Sequence, residues 1–287
     1  MDRRTFLSSS AVGLTINSHF CGQTDANAVR ESKTRRFDVV VAGGGPAGCA
    51  ATLAAARQGA KVALVEQHPC FGGVWTMGTL AIIIDSHNKT GLMQEITKKL
   101  RNDRHLHDFY NDPEKKVYNV EAMKLLLDDL LGDSGASLRL HTFVADVERN
   151  GDCISALITA SKSGFERWEA DVYLDCTGDG DVAALAGCDF HMGRESDGHR
   201  QPGTTYGLVG GWEGDFPTRK ELMAVFEKAG KELPYRGIYI FVQDGMHNMG
   251  YLMPSHVYGL DPTDADSLTK AEIEGRRQVR YVVDVLK

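Results

Sequence analysis

The chain has 287 residues, 42% of them hydrophobic and 25% charged, with a formal net charge of -7, and is long enough to bury one large core or two modest ones. Lys and Arg are scattered without a run of like charge, which excludes the electrostatic footprint of a nucleic-acid or anionic-membrane binder and leaves a small molecule as the expected partner. Cysteines at 21, 49, 70, 153, 176 and 188 have no close-ligand spacing, so neither a zinc site nor a disulfide framework is indicated, although one isolated bridge stays open.

Residues 1–28 place Arg3-Arg4 ahead of a short, weakly apolar run that ends near Ala26-Asn27-Ala28. That order of charged, apolar and small residues reads as a signal peptide, and the run is too short to span a bilayer as a helix. Asp2-Arg3-Arg4-Thr5-Phe6-Leu7 resembles the twin-arginine export motif. The resemblance implies a bacterial protein carried across the inner membrane already folded, to the periplasm or beyond, with no stable membrane insertion once the signal is removed.

Beyond a polar linker, 37–42 is a near-continuous apolar run suited to a strand buried on both faces. A glycine turn follows, then an alanine-rich helix over 47–58 stopped by Gly59, then a second buried strand over 61–66, together one βαβ unit. A glycine-rich loop over 71–85 leads to amphipathic helices over 91–100 and 119–131, the second capped by Asn119, with polar loop over 105–114 between them. From Ser137 the period changes to two, predicting an antiparallel meander of strands at 138–148, 154–160 and 165–170, then a separate short strand at 171–175 and a small helix at 182–186. Loops, glycine and histidine dominate after Gly187, with a helix near 218–228 that starts on Pro217, strands near 238–242 and 251–253, and a last helix opened by a Thr269-Lys270-Ala271-Glu272 capping box. Its apolar residues Val282, Val283, Val285 and Leu286 stop mid-helix, so the chain is expected to be a fragment or a truncated gene product.

The chemistry is concentrated in Gly43-Gly44-Gly45-Pro46-Ala47-Gly48. Gly43 permits the tight turn out of the strand, Gly45 lets backbone approach a pyrophosphate, and Gly48 lets the helix lie close to the sheet. Free N–H groups and the dipole at the helix start then face the phosphates. Glu66, with Gln67 beside it, ends the second strand, where a carboxylate accepts from both ribose hydroxyls of an adenosine. With a strand before the turn, a helix after it and an acid in register, the stretch reads as a dinucleotide site. The absence of an arginine in place of Glu66 argues against a 2′-phosphate.

These residues, with Phe71-Gly72-Gly73, the inserted meander and Asp175-Cys176-Thr177-Gly178-Asp179-Gly180-Asp181, resemble the FAD-dependent oxidoreductases of the glutathione-reductase-like fold, related to fumarate reductase flavoproteins. The likeness continues through Gln201-Pro202-Gly203-Thr204-Thr205 and 260–279. It implies an α/β architecture: a Rossmann-like FAD-binding domain over 29–190, with a parallel sheet and a three-stranded antiparallel meander, and a partial α+β substrate or cap domain over 191–287. In that reading Gly72 and Gly73 bring backbone to FAD from a second side, and Val144 or Ala145 meets the adenine. Thr177 and Gly178 match an Ala-Thr-Gly signature with Cys176 in place of alanine, and Asp179 bonds the ribityl chain or a phosphate-bound water. Asp181 is read as a cap for the following helix. The aspartates at 175, 179 and 181 do not meet EF-hand spacing.

The implied activity is two-electron transfer on an unidentified small molecule, with a truncated flavin-binding protein lacking turnover, or a flavin monooxygenase, as alternatives. No Cys-x-x-x-x-Cys pair follows the first helix, which argues against a disulfide reductase. Catalytic residues stay unassigned. Arg194, His199, Arg200 and His247 are carboxylate or proton-transfer candidates, each equally readable as polar loop, and His68 and His87 are no better supported.

Overall fold

The computed structural model describes residues 33–109, 112–212, 214, 216–246 and 248–287. The export signal expected in 1–28 and the candidate His247 lie outside the described residues.

Strand β1 (Lys33–Ala42) runs into helix α1 (Pro46–Arg57) and strand β2 (Val62–Val65). Its β-branched residues serve two cores at once: Val41 packs with Leu64, Leu53 and Leu127 on one face, while Val40 and Ala42 pack with Ala63, Val65, Val144, Leu157 and Trp168 on the other. A stretch with both faces covered must read as a continuous apolar run, and 39–42, at the end of β1, does. After β2 come strand β3 (Ile82–Ile84), helix α2 (Gly91–Asn102), strands β4 (Leu106–Phe109) and β5 (Asp112–Tyr118), and helix α3 (Val120–Asp133). Asn119 caps α3, its Oδ1 accepting from Ala122 N at 3.0 Å. Strands β6 (Ser137–Arg139), β7 (Phe143–Asn150), β8 (Cys153–Ser161) and β9 (Gly164–Asp175) follow, then the short helix α4 (Asp181–Leu185).

The main sheet has six strands in the order β6-β2-β1-β9-β8-β7. β6, β2, β1 and β9 are parallel, and β9, β8 and β7 are antiparallel. The chain builds outward from β1 to β2 and β6 on one side, then returns to place β9 on the other. Such a reversal opens a crevice beyond the carboxyl ends of the two strands at which it occurs.

Several local expectations change. The strand expected over 138–148 is divided, because His141 has φ 52° and turns the chain out of β6, with Thr142 N donating to Glu66 O at 2.9 Å. The strands expected at 165–170 and 171–175 are one continuous β9: no turn residue separates them, and Trp168, fully buried, stacks on Phe37 at 5.7 Å and donates Nε1–H to Thr159 Oγ1 at 2.8 Å. The polar segment 105–114, read as loop, contributes β4 and the start of β5 to a β3-β5-β4 sheet. Two of its carboxylates are paired, with Lys116 Nζ 2.6 Å from Asp108 Oδ1 and Lys115 Nζ 2.8 Å from Asp112 Oδ2.

The remaining chain forms strand β10 (Gly207–Gly210), which the sequence did not announce, helix α5 (Arg219–Ala229), strands β11 (Tyr239–Val242) and β12 (Met249–Met253), and helix α6 (Ala265–Leu286). Thr218 caps α5 in a capping box with Glu221, so Pro217 precedes the cap instead of opening the first turn. Asp264, not Thr269, caps α6, accepting from Ser267 N at 2.8 Å; the Thr269 hydroxyl bonds back to Ala265 O within the helix at 2.8 Å. Leu222, Phe226, Ile238, Ile240, Leu252 and Val282 form a third core here.

The tip that follows β11 docks on the first unit. Gln243, 1% exposed, accepts from Val120 N at 2.9 Å and so satisfies the first amide of α3. Asn119 Nδ2 donates to Asp244 O at 2.6 Å, and the His107 ring lies 2.8 Å from Asp244 Oδ2. Replacing Gln243 by Ala leaves Val120 N–H buried without its acceptor. The expected cost is about 1–3 kcal/mol, read as a lower urea midpoint with unchanged slope; a midpoint equal to wild type would show that the docking contact does not form.

Candidate cofactor site

The turn after β1 is shaped by what its glycines omit. Gly43 has φ 92°, and a Cβ there would lie 2.5 Å from the Cys176 carbonyl oxygen, so a side chain cannot pass between β1 and the end of β9. A Cβ on Gly48 would lie 1.8 Å from Gly43 O; α1 therefore sits against the turn only because residue 48 has none. At Gly45, by contrast, a Cβ would meet nothing within 4 Å. Gly45 precedes α1 as its N-cap without a side-chain cap, and Pro46 opens the first turn. The first amides of α1 are thus left for a ligand, and a helix N-terminus with free N–H groups suits an anion.

Glu66 locks the turn to β2. Its Oε2 accepts from Gly44 N at 2.6 Å and its Oε1 from His68 N at 2.8 Å, with the side chain 5% exposed. The second glycine loop lies directly on the first: Gly72 N donates to Gly44 O at 2.7 Å, and a Cβ on Gly73 would stand 2.9 Å from Gly45 Cα. Residues 73–80 then close on themselves, Gly78 N donating to Gly73 O and Leu80 N to Val74 O, each at 3.0 Å. The buried Tyr118 hydroxyl, 2.9 Å from Trp75 O and 2.7 Å from Leu80 O, braces the closed segment.

A cavity of about 590 Å³ opens at the carboxyl ends of β1, β2 and β9, within the size range of small-molecule and cofactor pockets. Of the residues expected at the site, Gly43, Gly45, Pro46, Ala47, Glu66, Gln67, Gly73, Val144, Thr177, Gly178 and Asp179 line it. Gly44, Gly48 and Gly72 stand behind the wall and act through packing and hydrogen bonds. The cavity also takes in His68, Val74, Met77, Gly78, Thr142, Phe143, Cys176 and Asp181. Thr142 and Phe143 directly precede Val144, where the chain leaves the turn after β6 and enters β7. Val74 and Met77 follow the second glycine pair and had no sequence signal beyond that position.

At the end of β9, Asp175 organises the loop. Its Oδ1 accepts from Thr177 N at 3.1 Å and Thr177 Oγ1 at 2.6 Å, and its Oδ2 from Ala183 N at 2.9 Å. Asp181 is therefore not the cap expected of it: Gly180 occupies the cap position and Asp181 is the first helical residue. Burial, then Asp179 and Asp175, hold the Asp181 carboxyl above the usual range. Burial raises the Cys176 thiol, with Asp175 adding to the effect, and pushes Cys49 up to about 12, so both stay protonated and inert as nucleophiles near neutral pH. Among the described residues no Lys or Arg lines the cavity; the groups there suited to an anionic ligand are main-chain N–H groups and the α1 dipole.

The substrate-side candidates are not gathered at this cavity. Arg194 and His199 both face Asp197, and Arg200 pairs with Asp261 at 3.0 Å. His87 is exposed and does not line the cavity.

The model of the family described as FAD dependent oxidoreductase matches residues 38–287. Among solved structures, the myxobacterial chondrochloren halogenase CndH, an FAD-dependent halogenase, is similar with 15% identity and a TM-score of 0.55, over 87% of this chain and 58% of that one. The flavin-dependent brominase Bmp2 is similar with 13% identity and a TM-score of 0.54, over 77% of this chain and 56% of that one. These likenesses are of fold, and the chain spans little more than half the length of either protein. No curated protein matches the sequence significantly.

The contrast between two glycines is testable without a ligand. Gly45→Ala places a methyl in open space and is expected to leave the unfolding free energy within about 0.5 kcal/mol of wild type. Gly48→Ala presses one onto the Gly43 carbonyl and is expected to cost about 1–3 kcal/mol or more. Urea unfolding of the two variants reads the difference; equal midpoints would contradict the packing of the turn.

Proposed function

The chain belongs to the FAD dependent oxidoreductase family, and from that membership we propose that the cavity at the ends of β1, β2 and β9 holds FAD for the oxidation or reduction of a small molecule. The observation that carries the proposal is the pairing of Glu66 with Gly45. A buried carboxylate held by two main-chain amides borders the same cavity as an unobstructed helix N-terminus. A dinucleotide needs both: an acceptor for ribose hydroxyls and amides for its phosphates.

The donor set fits the cofactor. The first amides of α1 and the bare Gly45 would take the phosphates, Glu66 the ribose hydroxyls, and Val144 the adenine. Gly73, Thr177, Gly178 and Asp179 would border the rest of the molecule. Bound there, FAD supplies the two-electron chemistry, and the protein supplies binding, orientation and exclusion of water. Val74 and Met77 provide apolar cover at the cavity rim.

In finer detail, we place the chain near the glutathione-reductase-like and fumarate reductase flavoproteins on the strength of the glycine turn, Glu66 and the meander. Residues 29–190 would bind the cofactor and 191–287 contribute to the substrate side. The fold shared with a halogenase and a brominase supports the monooxygenase-type use of the flavin, in which oxygen takes part, ahead of plain two-electron transfer between small molecules. The arginine pair at 3 and 4 supports export. Among the described residues no helix is long and apolar enough to cross a membrane.

The test is reconstitution. Wild-type protein mixed with FAD is expected to turn yellow, to give binding heat, and to yield a chromophore with the mass of FAD on denaturation. Gly45→Val is expected to keep the wild-type unfolding midpoint and weaken FAD by at least about tenfold, 1.4 kcal/mol. Colourless wild-type protein without binding heat would end the reading. Oxygen uptake driven by a reduced nicotinamide would distinguish the monooxygenase-type use.

A further inference from the structure

The cavity wall carries one large aromatic ring that nothing in the protein uses. Phe143 lines the cavity and is 51% exposed, and among the described residues it is the one Phe, Tyr or Trp in that lining. Its ring stacks on no other described ring and carries no cation. A phenylalanine alone on an open surface would need no account. One set in the wall of a cavity does.

The backbone shows why the ring is bare. Phe143 and Val144 are successive residues of β7, so their side chains leave the strand on opposite faces. Val144 is 6% exposed and packs into the core with Val65, Leu157 and Trp168, which puts Phe143 on the other face. Across the ladder Phe143 stands opposite Ala160 of β8, whose methyl is too small to cover a phenyl ring.

Two main-chain bonds fix the position of Phe143 relative to Glu66. His141 N donates to His68 O at 3.3 Å and Thr142 N to Glu66 O at 2.9 Å. Residues 141–143 are thereby strapped to the strand end whose carboxylate is the ribose acceptor in the FAD reading. The base of an adenosine is joined directly to its ribose, so a base leaving a ribose held at Glu66 has this wall beside it. The hydrocarbon ring in the wall is Phe143. Val144 offers the base main chain only, since its side chain is committed to the core.

We propose that the Phe143 ring stacks on the adenine of FAD and is the side chain that holds the adenylate half beyond its ribose. The assignment rests on the FAD reading of the cavity and adds to it a residue with no part in the glycine motifs. A purine and a phenyl ring both gain by leaving water, and their faces suit one another.

Two substitutions and two ligands test the assignment. Phe143→Val keeps an apolar, strand-forming residue and removes the ring, whereas Phe143→Tyr keeps the ring. Affinity for FAD is measured by titration calorimetry, affinity for ADP, which lacks the flavin, by competition, and the urea midpoint on each apoprotein. Phe143→Val is expected to bind both ligands at least about fivefold more weakly, the lower end of what removing one base–aromatic stack costs, at a midpoint close to wild type. Phe143→Tyr is expected to bind both within about twofold of wild type. Phe143→Leu, nearer to phenylalanine in volume, replaces the Val variant if that variant does not fold, with the same expectation. Wild-type FAD affinity without the ring would overturn the proposal, as would an equal loss in Phe143→Tyr. A loss confined to FAD, with ADP unaffected, would place the ring against the flavin half and overturn it too. Wild-type protein that binds no FAD would instead overturn the reading of the cavity itself.

Discussion

A single carboxylate holds the site together. Glu66 is buried, and each of its oxygens accepts a main-chain N–H, one from the glycine turn at Gly44 and one from His68 after β2. Charge-assisted hydrogen bonds of this kind are roughly twice as strong as neutral ones, and their loss in a buried place leaves a charge uncompensated. The Glu66 side chain therefore fixes the turn relative to β2 before any ligand arrives. The second glycine loop depends on that placement, because Gly72 N bonds to Gly44 O, the same peptide neighbourhood that Glu66 grips. Each carboxylate oxygen has lone pairs beyond the one already used, so the group can also serve a ribose.

The electrostatics of the cavity follow from the same economy of side chains. Glu66, Asp179 and Asp181 line it, and among the described residues no Lys or Arg does. A diphosphate entering such a place finds its positive potential in the N-terminus of α1, which Gly45 leaves uncovered, rather than in a side chain. On the proposed reading, a capping oxygen at residue 45 would occupy the amides that the phosphates would take, and α1 has no side-chain cap. The arrangement of Asp175 agrees with this, its carboxylate being turned into the loop by Thr177 and Ala183 and so kept out of the acidic lining.

The glycine turn, Glu66 and the ends of β1 and β2 were legible in the sequence because each is a local consequence of residue type: a residue without Cβ where backbone must approach, an acid at a strand end, β-branched residues where both faces are buried. The same holds for Asn119 as a cap. What was not legible required a distant partner. His141 divides a stretch of alternating residues because Thr142 bonds to Glu66, seventy-six positions earlier in the chain. The charged segment before Tyr118 becomes strand because Lys116 and Asp108 satisfy each other across a hairpin. Thr269 imitates a capping box, and only the additional turn begun at Asp264 shows otherwise. Val74 and Met77 join the cavity by virtue of a closed segment whose braces come from Tyr118, on another strand.

The two parts of the molecule are mechanically linked through α3. Gln243, from the tip beyond β11, occupies the amide at the helix start, while further along the helix the Leu127 side chain stands where a Cβ on Gly72 would lie, 2.8 Å away. Gly72 in turn bonds to the first glycine turn. The tip, α3 and the two glycine loops thus form one unbroken chain of contacts from the end of β11 to the wall of the cavity.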